Sequence, residues 1–273
     1  MPRITLLTDF GTRDGYVGAM KGVMATVFPG VGMDDVSHSI PPGDVASAAL
    51  TLSRYWDCYP GGTVHVVVVD PGVGTDRRPL AVEADRRFLV APDNGVLSRV
   101  LDAGKQVRVV AIENGEYLAK ERSATFHGRD VFAPVAAFLA RGVHISRLGP
   151  PVFDPVRIRE PEVEEDGDVV SARVVSLDRF GNLITNLRGE GIGAVGEVQV
   201  GGRSIPLVRT YGDVDPEGLA ALVNSDGRLE VAARDASAAD LLGAGVGTLV
   251  RIRMTPGGDQ RARPIASGSE PGS

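Results

Sequence analysis

The chain holds a single cysteine, Cys58, among 273 residues. An intrachain disulfide needs two, and a thiolate metal site of the CxxC kind needs at least as many, so both are excluded. Cys58 itself is expected to be a small buried or half-buried side chain. Aromatic residues make up 5% of the sequence, too few for a platform on which nucleic-acid bases would stack. Positive charge is scarce too: 29 Lys and Arg stand against 35 Asp and Glu, a formal net charge of −6, whereas a phosphate-backbone binder needs clustered cations. Nucleic acid is therefore not an expected partner. No apolar run reaches the roughly 18 residues of a membrane span. The opening "MPRITLLTDFGT" has one basic residue and too short an apolar run for a secretory leader. The expectation is a cytoplasmic protein with no membrane partner.

What is present is 43% hydrophobic and 23% charged residues, the balance of a globular protein, at a length that suits one large domain or two ordinary ones. "ITLLTDF" is a short apolar strand. After a glycine-containing loop, Val17, Met20, Val23, Met24 and Val27 fall at helical spacing before Pro29-Gly30. Asp44 is placed to cap a second helix in "DVASAALTLSRYW". Strand and helix then alternate through about residue 155, which predicts an α/β domain, 1–155, with helices on a mostly parallel sheet. The passage 156–168 is rich in proline and acid and reads as a linker. From 169 to 254 the segments are short and alternating, divided by glycine-rich turns, as in a smaller all-β, barrel-like domain. Residues 255–273 have too little apolar content to fold and are expected to be disordered.

In parallel sheets, ligands bind outside the carboxyl ends of the strands. Asp9, Asp70 and Asp93-Asn94 each follow an apolar strand there, and a carboxylate so placed is costly unless paired or solvated. Their plainer readings are helix cap or turn residue. The stretch "VHVVVVDPGVGTDRR", Val64–Arg78, contains no complete G-x-G-x-x-G and no GK[ST], so it is not a phosphate loop. Its glycines instead supply a tight turn that folds Arg77 or Arg78 back toward Asp70, where a guanidinium keeps the carboxylate ionised. His127, in "TFHGRD", is one of four histidines. On its own a loop histidine is more often structural or exposed than functional, and His38, His65 and His144 read as structural. Oxygen and imidazole together suit a divalent ion, but no HExxH-like spacing supports a metal, and none is expected.

Taken together, "ITLLTDFGTRDGYVGAMKG", "HSIPPGDV", "VVVVDPGVGTDRR", "APDNGVL", "TFHGRDVFAPVAA", "DRFGNLITN" and "NSDGRLEVAARDASAADLLG" resemble, in order and over nearly the whole chain, the family of S-adenosylmethionine hydroxide adenosyltransferases. These are the water-using relatives of the fluorinase and chlorinase enzymes. The resemblance implies hydrolysis of S-adenosyl-L-methionine at ribose C5′ to adenosine and methionine, with no cofactor. It places Asp70, Arg77 and His127 as the water-activating set, Asp9 on the ribose hydroxyls, and Asp178, Asn182 and Ser225 on the methionine end. Halide-using branches carry a tyrosine at the position of Asp70, which favours water over halide. Asp226 departs from the fluorinase-like pattern, which has arginine there. The resemblance also implies a homotrimer with sites at subunit interfaces.

Overall fold

In a computed structural model, residues 2–189, 192 and 195–254 are described. The chain divides into two compact units, Met1–Ile158 and Arg159–Ser273. The 255–273 segment expected to be disordered lies outside the described residues.

The first unit is a six-stranded sheet, β1 (Arg3–Thr8), β2 (Gly32–Ser37), β3 (Val64–Val68), β4 (Pro79–Ala84), β5 (Arg87–Pro92) and β6 (Val107–Ala111), in the order β2-β1-β3-β5-β4-β6. Helices α1 (Tyr16–Val27), α2 (Val45–Tyr55), α3 (Ser98–Ala103) and α4 (Ala133–Ala140) flank it. The two-residue period of β3 explains why both faces are covered. Val64, Val66 and Val68 pack with Met20, Met24 and the α4 residues, whereas Val67 and Val69 pack with Leu52, Trp56 and Val100. Asp44 caps α2 by accepting from Ser47 N.

The sheet is mixed. The pairings β1–β2, β1–β3 and β3–β5 are parallel, while β4 runs antiparallel to both β5 and β6. Sequence reading passed over β4 because its reversal uses Asp85 and Arg86 at φ 45° and 67° rather than the Asn-Gly or Asp-Gly pair that announces such a turn. Side-chain chemistry supports this turn instead: the Asp85 carboxylate accepts from the Lys105 and Gln106 amides.

The second unit is a strongly bent antiparallel sheet. It comprises β8 (Val169–Leu177), β9 (Leu183–Arg188), β10 (Val195–Val200), β11 (Arg203–Ile205), β12 (Leu219–Val223), β13 (Arg228–Ala233) and β14 (Leu249–Met254), with α5 (Ala238–Leu242). Its order, β11-β10-β14-β8-β9-β13-β12, leaves β11 and β12 at the two edges. Leu207 bridges to Ala221 just past β11, so the sheet is nearly closed into a barrel and few strand edges are left bare. The passage expected as a linker is more ordered than its composition suggests. Val156 N and Ile158 N donate to Asp93 and Ser98 of the first unit, and Glu164–Asp166 forms β7 on β8. Cys58, expected to be buried or half-buried, is exposed, because it sits at the end of the short 3-10 turn whose inward position is taken by Trp56.

Candidate active site

Asp70 follows the buried end of β3, two positions past Val68. The turn beyond it folds back through Gly74 at φ +81°, where a Cβ would lie 2.8 Å from the Ala124 carbonyl oxygen. A side chain is excluded there twice over, by backbone conformation and by space. The reversal returns Arg77 to Asp70: Nε donates to both carboxylate oxygens at 3.0 Å, and Nη2 closes the pair on Oδ2. Their side chains are only 8% and 5% exposed, so this is a desolvated, bidentate ion pair. Arg77 also lies over the Phe132 ring.

Arg77 Nη2 lies 2.7 Å from His127 Nδ1 as well. A guanidinium can only donate, so Nδ1 accepts and the ring proton sits on Nε2. His127 is half-buried and precedes the π-helical turn Gly128–Phe132, which leads into α4. Gly128 is close-packed, with Met20, Phe10 and Phe126 atoms 3.1–3.3 Å from where a Cβ would stand. Desolvation and then the Arg77 charge push the His127 pKa below the ordinary imidazole value, against the opposite pull of Asp70 and Asp130. The neutral ring is therefore favoured. Among the described residues, Arg77 Nη1 is buried without a hydrogen-bond partner. Arg77 and His127 line a cavity of about 430 Å³ together with Ile112, Leu118 and Val131. An oriented imidazole, a carboxylate paired with Arg77 and a spare guanidinium donor at one strand end can hold and polarise a water molecule.

Asp9 is half-buried after β1 and accepts from the Gly43 amide at 2.8 Å. Asp93 has a different fate. It accepts from Arg78 and from Val156 N, and Arg78 continues to Asp154 at 2.8 Å. Both residues thus form a clasp holding the end of the first unit, and the buried strand-end carboxylate is satisfied structurally. Asn94 likewise donates to the Val69 carbonyl. His65 is fully buried against Thr5, and His38 is bonded to Thr8 and Asp35.

In the second unit Asp178 accepts from the Phe180 and Asn182 amides and from Asn182 Nδ2, all at 2.9 Å. Asp178 and Asn182 line a cavity of about 640 Å³ with Phe180, Tyr211 and Arg234. Sequence reading named neither Phe180 nor Tyr211. Phe180 was visible inside "DRFGN", and its 75% exposure is unusual for a phenyl ring. Tyr211 donates to buried Glu230, which also accepts from Asn224 Nδ2. Desolvation first, then Glu230, pushes the Tyr211 hydroxyl up to about 12. The neighbouring Ser225 is exposed on the turn that Asn224 organises and does not line this cavity. No group of three or more His, Cys, Asp or Glu suited to a metal ion occurs among the described residues, and no helix among them is long and apolar enough to cross a membrane.

A three-layer α/β domain with an Asp–Arg–His centre at a strand end, followed by a barrel-like domain with its own cavity, defines a two-domain enzyme of small-molecule chemistry. Comparison with known proteins narrows that class. The family model described as the SAM hydroxide adenosyltransferase N-terminal domain matches residues 4–149, and its C-terminal counterpart matches residues 172–251. The chain belongs to the SAM hydroxide adenosyltransferase family. It is 41% identical over 260 residues to the (R)-S-adenosyl-L-methionine hydrolase of Salinispora tropica, covering 94% of this chain and 98% of that one. Identity is also 41% to the enzyme of that name from Thermus thermophilus, over 92% and 100% of the two chains. A fluorinase from an Actinoplanes species is 29% identical over 85% and 90%. The crystal structure of an uncharacterized conserved protein from Thermotoga maritima superposes with a TM-score of 0.85 at 33% identity, over 92% of this chain and 99% of that one.

Proposed function

We propose that this enzyme hydrolyses S-adenosyl-L-methionine to adenosine and L-methionine. Water forms a bond to ribose C5′ as the C5′–sulfur bond breaks, the electron pair leaves on a neutral methionine thioether, and one proton is released. The sulfonium is already a good leaving group, so no acid is needed. The difficulty lies in the nucleophile, because the pKa of water lies far above neutrality and hydroxide is scarce at pH 7. The observation that carries this reading is the contiguous Asp70–Arg77–His127 set. Arg77 Nη1, buried and unpaired among the described residues, donates to the water oxygen and stabilises its developing negative charge. His127, with its proton on Nε2, fixes the water's orientation. Asp70 retains lone pairs beyond those that Arg77 uses, so with His127 it can orient the water and accept or relay its proton. Holding water in line behind C5′ contributes up to roughly 7–11 kcal/mol in ideal cases.

Asp9 accepts from the ribose diol. Asp178 meets the methionine ammonium and Asn182 either charged group, with Ser225 at the same end of the substrate. No metal or cofactor takes part, and neither nucleic acid nor membrane is a partner. The reading includes a cytoplasmic setting and a homotrimer, in which the first domain of one subunit meets the second domain of its neighbour. Relatives at 41% identity named as hydrolases, against 29% for a fluorinase, favour water over halide.

The test is incubation of purified protein with S-adenosyl-L-methionine, with and without chloride and with excess chelator, followed by product separation. Adenosine formed in every case is expected. A 5′-haloadenosine formed only with halide, or loss of activity in chelator, would overturn the reading.

A further inference from the structure

His38 is buried, 6% exposed, just past β2, in a hydrogen-bonded chain outside the water-activating set. Thr8 Oγ1 accepts from Phe10 N at 3.2 Å and lies 2.8 Å from His38 Nδ1. His38 Nε2 then donates to Asp35 Oδ1 at 3.0 Å, and Lys21 Nζ donates to Asp35 Oδ2 at 2.6 Å. A carboxylate only accepts, so Nε2 carries a ring proton, and in the neutral ring Nδ1 accepts from the Thr8 hydroxyl. The backbone of His38 acts as well: its carbonyl accepts from Gly11 N at 2.8 Å. Residues 8 to 11 are therefore gripped by one residue from both sides, through the Thr8 hydroxyl and through Gly11. Asp9 lies between these grips, and its Oδ2 accepts from Gly43, five residues beyond His38.

We infer that His38 is a positioning residue that fixes the aim of the Asp9 carboxylate at the ribose diol, through Thr8 and the Asp9–Gly11 backbone. This rests on the reading of Asp9 given under Proposed function. A single amide at Gly43 leaves a carboxylate free to swing, and a second constraint on its backbone removes that freedom before ligand arrives. Asp35 is the outer anchor of the chain and is itself held by Lys21 at the surface. Burial raises the Asp35 pKa, but the hydrogen bonds from Lys21 and His38 outweigh it and keep the carboxyl below its ordinary value, so the acceptor end of the chain stays ionised.

The experiment is calorimetric titration of the whole protein with adenosine and with 2′-deoxyadenosine, for wild type, His38→Phe, His38→Asn and Asp35→Asn, with a thermal melt of each. Wild type is expected to prefer adenosine by about tenfold or more, the worth of one hydrogen bond to a charged group. His38→Phe should bring that ratio close to one, whereas His38→Asn, which keeps an acceptor near Thr8, should restore most of it. Asp35→Asn, at an exposed position, should lower it part of the way. A merely structural histidine would change the melting temperature and leave the ratio alone. A folded His38→Phe with the wild-type ratio overturns the inference; should that variant not fold, an unchanged ratio in Asp35→Asn overturns it equally. Wild type that binds adenosine no better than 2′-deoxyadenosine, or not at all, sinks the reading of Asp9 and this inference with it. Discrimination in wild type that survives in the variants sinks the inference alone.

Discussion

Arg77 donates to His127 Nδ1 across 2.7 Å while closing a bidentate pair on Asp70, so one guanidinium fixes the orientation of the carboxylate and the tautomer of the imidazole together. The two consecutive arginines of the sequence consequently have separable roles. Arg77→Ala should lower kcat by about 10²–10⁴-fold, as loss of a charge-stabilising donor does. Arg78→Ala should leave kcat within about twofold but destabilise the fold by about 1–3 kcal/mol, because Asp93 is left buried without its charged partner. Steady-state kinetics and denaturant unfolding of the two variants decide this. Equal kinetic losses would refute the division.

The titration of His127 is the second expectation. Its pKa is depressed by desolvation and by Arg77 and raised by Asp70, so its ring-proton NMR signal should titrate with a midpoint below the usual 6.5. Arg77→Met should move that midpoint up, and Asp70→Asn should move it further down. If, as proposed, the neutral ring orients the water, the acid limb of kcat/KM in the wild type should also fall below pH 6.5.

His65 predicts an acid sensitivity of the fold. It is fully buried, and desolvation holds its pKa at about 4. The unfolded chain takes up the proton first, near pH 6.5, so stability falls as pH drops through that value and stops falling from this cause below about 4. The accumulated loss is about 3 kcal/mol. Chemical denaturation from pH 7 to 4 should show a shallower decline for His65→Gln than for wild type, and parallel curves would contradict it.

Gly74 is the hinge of the turn that returns Arg77. Gly74→Ala introduces a Cβ where the Ala124 carbonyl stands 2.8 Å away, at a left-handed φ of +81°. The expected result is destabilisation of about 1–3 kcal/mol and, on the proposed role of Arg77 toward the water, a fall in kcat larger than any rise in KM. Gly62→Ala, strained in φ (+88°) but with no atom within 4 Å of its Cβ, serves as the control and should keep kcat.

The trimeric reading is tested by mixing. On the proposed roles, Asp70→Asn removes the first domain's contribution and Asp178→Asn the second's, so each alone should lose about 10²-fold or more in kcat/KM. Unfolding and refolding the two together should restore a fraction of sites built from intact halves. Activity no greater than the sum of the separate variants would argue for sites complete within one chain.

Much of this protein was legible before any coordinates. The spacing of Val17, Met20 and Met24 marked the buried stripe of α1, the Asp44 cap was visible in "PPGDVAS", and the glycines of "DPGVGTDRR" announced a reversal that would bring an arginine to Asp70. These are short-range features, and their physics of periodicity, capping and backbone freedom acts within a few residues. The motifs that carry the family resemblance also lay in plain order along the chain. Sequence alone did not decide which arginine would turn inward, since Arg77 and Arg78 are chemically alike. That depended on the turn geometry around Gly72 and Gly74 and on Asp93 and Asp154 waiting for Arg78. Nor could it show that Asp93, matching Asp70 in its strand-end position, would be spent on a clasp, or that β4 would reverse direction through two residues with side chains at positive φ. The distance from Arg77 to His127, fifty positions along the chain, and the grip of His38 on the Asp9 loop exist only once α4, β1 and β3 are packed together. Local preferences wrote the elements, whereas contacts between residues far apart in sequence had to be satisfied all at once, and that requirement belongs to the tertiary fold.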